Sequence, residues 1–105
     1  MPTTVTIRMG ARGPLADPAT ARVPAGDTVE WVPEDESRWW LVLFKNGRTP
    51  FPNKRRTFKG RGRHGHRMKT RRGIRRGTEY DYWLIYEGDD GTPQVSDPKI
   101  VIEDE

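Results

Sequence analysis

The residues best equipped for chemistry lie between Lys54 and Arg76, where nine Arg, three Lys and two His fall within 23 residues. Arginine presents a planar fork of donors that matches phosphate and carboxylate oxygens, and its head also stacks on flat rings. Arg61-Gly62-Arg63-His64-Gly65-His66-Arg67 has the composition of Gly/Arg-rich segments that hold single strands. The expected contacts are Lys54, Arg55, Arg56, Lys59, Arg61, Arg63, Arg67, Lys69, Arg71, Arg72, Arg75 and Arg76, with Phe58 as a ring platform and Phe51 flanking it. The expectation is a non-catalytic module that engages a polyanion, RNA or DNA, through sequence-independent and salt-dependent contacts. The alternative is an interaction or assembly subunit whose basic face docks an acidic protein surface, including that of a second copy, with no nucleic-acid role. The plain reading is a solvated segment answered by Glu34-Asp35-Glu36 and Glu87–Asp90 of the same chain, a pairing that adds little stability.

His64, His66 and Met68 alternate, so on a strand they share one face. They form a weak candidate metal set for copper or nickel, opposed by the surrounding Arg61, Arg63, Arg67 and Lys69. Glu87-Gly88-Asp89-Asp90-Gly91 lacks the further carboxylates of a calcium loop and reads as a turn. There is no Cys, which removes disulfides, thiolate ligands and a thiol nucleophile. Neither Ser37 nor Ser96 has a nucleophile motif around it, and no Gly-rich loop joins a strand to a helix. The expectation is therefore no enzyme activity and no cofactor.

The elements that must carry these residues are strands. Val5, Ile7 and Met9 alternate with Thr4, Thr6 and Arg8, and Tyr80, Tyr82, Leu84 and Tyr86 alternate with Asp81, Trp83 and Ile85, the period of a half-buried strand. Gly10–Pro18 reads as a loop. Ala21 and Val23 begin a strand, Pro24-Ala25-Gly26-Asp27 is a tight turn, and Thr28–Val32 continues as a strand. Trp39–Phe44 is apolar on both faces, which calls for a central strand or one flanked by other chain. Trp39-Trp40 divides into one ring for the core and one for an edge. Thr49-Pro50-Phe51-Pro52-Asn53 cannot be a ladder strand, because proline donates no hydrogen bond. A short strand is expected near His64–Lys69, and Lys99–Ile102 forms a last one. No segment has helical period, and the pattern predicts an all-β sandwich or small barrel.

The 105 residues suit one domain, 1–105. The net charge of +4 conceals a split. Arg38–Gly77 holds fifteen Lys and Arg and no acid, whereas the flanking blocks hold all fifteen acids. Trp39–Phe44, the longest apolar run, is far below the roughly 20 residues of a membrane span. Met1-Pro-Thr-Thr-Val-Thr-Ile enters a strand directly. With no Cys, the expected location is cytoplasmic, with no membrane partner.

Val23-Pro24-Ala25-Gly26-Asp27-Thr28-Val29-Glu30-Trp31 resembles the strand–turn–strand opening of cupredoxins, which carry Gly-Asp-Thr-Val-x-Trp there. Gly77-Thr78-Glu79-Tyr80-Asp81-Tyr82 is similar to their Gly-Thr-Tyr-x-Tyr motif with Glu79 inserted, and Ile100-Val101-Ile102 to their closing strand. The resemblance spans roughly Val5–Val32 and Gly77–Ile102. It implies a small antiparallel Greek-key β-sandwich with the basic segment as a long insertion or loop. The family's copper ligands do not follow. The first His falls near Trp39 or Trp40, the Cys near Leu84 and the second His near Glu87, and Gly88–Asp97 contains no Met. The resemblance thus implies the fold without its copper.

Overall fold

Period-two alternation and the turns that interrupt it build ten strands among the described residues. The computed structural model describes residues 3–10, 13–35, 38–61, 66–88 and 90–104. The strands are β1 (Thr3–Gly10), β2 (Gly13–Asp17), β3 (Thr20–Pro24), β4 (Thr28–Pro33), β5 (Trp39–Phe44), β6 (Thr57–Arg61), β7 (His66–Lys69), β8 (Glu79–Glu87), β9 (Pro93–Ser96) and β10 (Lys99–Glu103). Short 3-10 turns at Lys45–Gly47 and Pro52–Lys54 follow β5. One sheet has the order β2-β1-β4-β7, and the other β3-β10-β8-β5-β6 with β9 on the upper half of β8. The architecture is a β-sandwich.

Both sheets are mixed, not antiparallel as expected. β1 runs parallel to β4, and β3 parallel to β10. The cause is the connection at Pro18-Ala19. It passes the chain from β2 in one sheet to β3 in the other, so neighbours within a sheet come from distant sequence and run the same way. Gly10–Pro18, expected as a loop, contains the edge strand β2, where an edge position tolerates Pro14. β9 was also not foreseen; it starts at Pro93 on a sheet margin. Nor is the basic segment an insertion, since it supplies β6 to one sheet and β7 to the other.

The inward rows of the two sheets meet in one core. Val5, Ile7, Val29 and Trp31 face Val42, Phe44, Phe58, Tyr82, Leu84, Ile100 and Ile102, all essentially buried. Trp31 is the hub, with ring centroids of Phe44, Phe51, Phe58 and Tyr82 between 5.6 and 6.3 Å away. Its Nε1–H donates to the Tyr82 hydroxyl at 3.3 Å. These rings compensate for a chain only 32% hydrophobic, because each removes a large area from water. Trp40 is buried at 1% exposure, and Trp39 is half-buried. Gly60 makes room for Trp40: a Cβ at Gly60 would lie 2.6 Å from the indole ring. Among the described residues, no helix is long and apolar enough to cross a membrane.

Candidate functional site: a basic pocket beside the Thr49 loop

The stretch from Thr49 to Asn53 cannot join a ladder, so its backbone groups are satisfied locally. The Thr49 hydroxyl donates to the Arg55 carbonyl at 2.6 Å and accepts the Phe51 N–H at 3.2 Å. The Arg55 N–H closes the Pro52–Lys54 turn on the Pro52 carbonyl at 3.2 Å. Asn53 and Lys54 both take left-handed backbone, φ 60° and 55°. Asparagine tolerates that region; lysine seldom occupies it, and such local strain concentrates at ligand sites.

Arg71 ties this loop to the rest of the fold. Its backbone N–H donates to the Pro50 carbonyl at 2.8 Å, while Nη2 donates to the Thr49 carbonyl at 2.9 Å and the Tyr80 hydroxyl at 3.4 Å. Nε and Nη1 have no partner among the described residues. The Arg48 guanidinium lies 5.3 Å from the Tyr80 ring centroid. Arg48, Arg71 and Lys54 thus border an open pocket of about 520 Å³, with Thr49, Phe51 and Tyr80 as its inner wall. No acid lines it. Arg8, Arg22, Arg38, Lys45, Arg67, Arg76 and Lys99 each meet a carboxylate. Among the described residues, the three pocket cations meet none.

Only Lys54 and Arg71 of the expected contact set converge here. The others are dispersed over both sheets. The Arg55 guanidinium lies 5.2 Å from the Phe58 ring centroid, and the Arg56 carbonyl accepts the Phe44 N–H. Phe58 is a core residue at 1% exposure, stacked on Trp31, and is no platform for a base; Phe51 is equally enclosed. Lys59 and Arg61 stand opposite Leu41 and Trp39 on β6. Arg67 meets Glu30 at 3.8 Å on β7, where Lys69 stands opposite Thr28. The Arg72 side chain crosses Gly26, Arg75 caps a turn with its carbonyl, and Arg76 pairs with Asp104 at 3.4 Å. Arg63 and His64 lie outside the described residues. Arg48 and Tyr80 were missed, the first because it stands before the dense run and the second because strand alternation absorbs it. The readable signal was the Thr-Pro-Phe-Pro-Asn loop, since non-ladder loops on rigid scaffolds often carry function.

His66 and Met68 share the half-buried face of β7. The His66 ring packs 4.5 Å from Phe58, and burial, assisted by the Arg55 charge, lowers its pKa. Among the described residues, no three His, Asp or Glu side chains gather as a metal site. Asp90 accepts both the N–H and the hydroxyl of Thr92, at 3.0 and 2.6 Å, and these bonds depress its carboxyl pKa.

No protein-family model and no curated protein matches the sequence. Among the solved structures that match, three pseudoazurins do so over almost the whole chain. A pseudoazurin from Sinorhizobium meliloti has a TM-score of 0.54 and 20% identity, covering 98% of this chain and 74% of its own. The pseudoazurin of Methylobacterium extorquens AM1 has a TM-score of 0.55 and 19% identity, covering 100% and 77%. That of Hyphomicrobium denitrificans has a TM-score of 0.54 and 20% identity, covering 97% and 75%. This chain has the cupredoxin fold.

On the cupredoxin fold, the expectation of a polyanion-binding module with a basic docking face is corrected. Pseudoazurins are among the structures that the chain resembles along almost its whole length. The segment that suggested nucleic acid is divided within this fold between two ladder strands and their connections, and its aromatic platform is sealed in the core. The copper chemistry of the resemblance does not fit either. Leu84 and Trp40, at the positions implied for Cys and the first His, are buried core residues. Glu87, at the second His, accepts the Trp39 N–H with its carboxylate and an Arg38 N–H with its carbonyl. A blue-copper set needs one thiolate and two imidazoles, and the side chains at these positions supply neither.

Proposed function

We propose that this cupredoxin-fold chain recognises a small organic anion in the Arg48–Arg71–Tyr80 pocket. One observation carries this reading: the Arg71 head is already held by the Thr49 carbonyl and Tyr80 hydroxyl, with further donors left over. A fixed guanidinium binds an oxyanion without first losing its side-chain freedom. A volume of about 520 Å³ lies within the usual range for small-molecule pockets. It is much larger than a bare inorganic ion requires. The favoured ligand therefore joins a carboxylate or phosphate to an organic body that fills the rest of the pocket.

The test is thermal unfolding and calorimetry with benzoate, phenyl phosphate, citrate and inorganic phosphate, on the native chain and on Arg71→Gln and Arg48→Gln. A ligand that binds only the folded state raises stability by RT ln(1 + [L]/Kd). Stabilisation by at least one organic anion, lost in Arg71→Gln, is expected. No stabilisation by any of the four, or equal stabilisation of Arg71→Gln, overturns the proposal.

A further inference from the structure

Two turns of one kind border the anion pocket, and they differ at one central position. Lys45-Asn46-Gly47-Arg48 closes with the Arg48 N–H on the Lys45 carbonyl at 3.0 Å, and Asn46 and Gly47 have φ 58° and 68°. Pro52-Asn53-Lys54-Arg55 closes with the Arg55 N–H on the Pro52 carbonyl at 3.2 Å, and Asn53 and Lys54 have φ 60° and 55°. Positive φ at both central residues is the type I′ pattern, whose favoured pair is Asn-Gly. The first turn has that pair. The second has lysine where glycine belongs, so its backbone carries a strain that glycine would not. The Lys54 side chain has no hydrogen-bond or ion-pair partner among the described residues. What it adds is a charge in the lining of the pocket.

That charge is one of several. Arg48, Lys54 and Arg71 line the pocket, and no acid does. A fourth cation reaches its rim: a Cβ on Gly47, another lining residue, would stand 3.5 Å from Arg56 Nη1. Among the described residues, none of the four meets a carboxylate. Like charges gathered in one place repel, and a ligand offsets this more with each negative charge it brings. A carboxylate offers two oxygens in one plane, which a single guanidinium satisfies. A phosphate monoester offers three terminal oxygens and close to two negative charges at neutral pH. That is a match for two guanidiniums and an ammonium, and it gives Lys54 a use that a carboxylate does not.

Resting on the reading of this pocket as an anion site, we infer that its ligand is a phosphate monoester bound as the dianion, and that Lys54 selects the second charge. The phosphate lies among Arg48, Lys54 and Arg71, and the organic body fills the rest of the pocket. The strained turn is then part of the site, because it holds an ammonium where the backbone favours glycine. Glycine at this position makes a better turn and a weaker site, the usual opposition between stability and binding.

Phenyl phosphate and methyl phenyl phosphate share a ring and differ in the third terminal oxygen and its charge. Calorimetry of the full chain at about pH 8, well above the second phosphate pKa of roughly 6, compares them. The native chain is expected to bind the monoester about tenfold more tightly or better, the worth of one further charge-assisted contact. Lys54→Gly is expected to lose that preference. Its affinity for phenyl phosphate falls about tenfold, while its affinities for methyl phenyl phosphate and benzoate change by less than about threefold. Lys54→Asn, which also tolerates this backbone, loses the preference in the same way. Unfolding temperatures at or above that of the native chain show that both variants keep the turn. Equal affinity of the native chain for the two esters, or an unchanged preference in both variants, overturns this inference and leaves the anion site standing where benzoate or either ester binds. Binding of none of the three anions overturns the anion site itself, and the inference with it.

Discussion

Arg71 and Tyr82 illustrate what single side chains decide here. Arg71→Lys keeps the charge but cannot hold the Thr49 carbonyl and the Tyr80 hydroxyl while still offering donors outward, because an ammonium is a point charge and not a fork. Anion affinity in Arg71→Lys is expected to fall about 10- to 100-fold, the worth of one charge-assisted hydrogen bond, measured by calorimetry. Tyr82 is governed by burial, which pushes its hydroxyl pKa up to about 12, against a smaller opposing effect of the Trp31 N–H. The unfolded chain ionises this group near 10 and the folded chain only near 12. The associated stability is therefore whole below pH 10 and disappears as pH rises from 10 to 12, by up to roughly 2–3 kcal/mol. Tyr82→Phe should remove that alkaline loss. At neutral pH it should cost about 1–3 kcal/mol, because the buried Trp31 N–H loses its acceptor. Urea denaturation at neutral and alkaline pH measures both effects.

At the scale of elements, alternation was legible and the edges were not. β1, β4, β8 and β10 carry apolar residues at every second place, so the burial of Tyr80, Tyr82, Leu84 and Tyr86 follows from pattern alone. β2 and β9 begin with Gly13-Pro14 and Pro93, residues that signal loops in a linear reading and become tolerable only on a sheet margin. The role of Gly60 was equally hidden, since nothing local shows that the Trp40 indole lies across it. A Cβ there meets the ring at 2.6 Å, against a Trp40 that is already enclosed. Gly60→Ala should therefore destabilise the fold by about 1–3 kcal/mol, the usual cost of overpacking. Equilibrium unfolding tests this, and relief by the smaller ring of Trp40→Phe in the double variant identifies the clash as the cause.

At the scale of the whole molecule, the cation count misleads because charge density along a chain is not density in space. Fifteen cations without an acid read as one face. The sandwich sends Lys59 to one sheet and Arg67 to the other, and gives Arg67 and Arg76 the acids Glu30 and Asp104 from remote sequence. Of the candidate site, Lys54 and Arg71 were legible as cations, but their meeting with Arg48 and Tyr80 depends on topology. The same global packing bears on metal dependence. The end of the sandwich where the resemblance implies copper is closed by Trp40, Leu84 and Tyr86, all at 1% exposure or less, and these side chains offer copper neither a thiolate nor an imidazole. A fold stabilised by a bound metal gains free energy with metal concentration and loses it to a chelator. This chain should unfold at the same temperature with EDTA, with added copper(II) and with neither. A rise in unfolding temperature with copper that EDTA reverses would show that side chains outside that core assemble a site on folding. His66 and Met68, on the half-buried face of β7, would be the first to replace, because imidazole and thioether are the softest ligands the chain possesses.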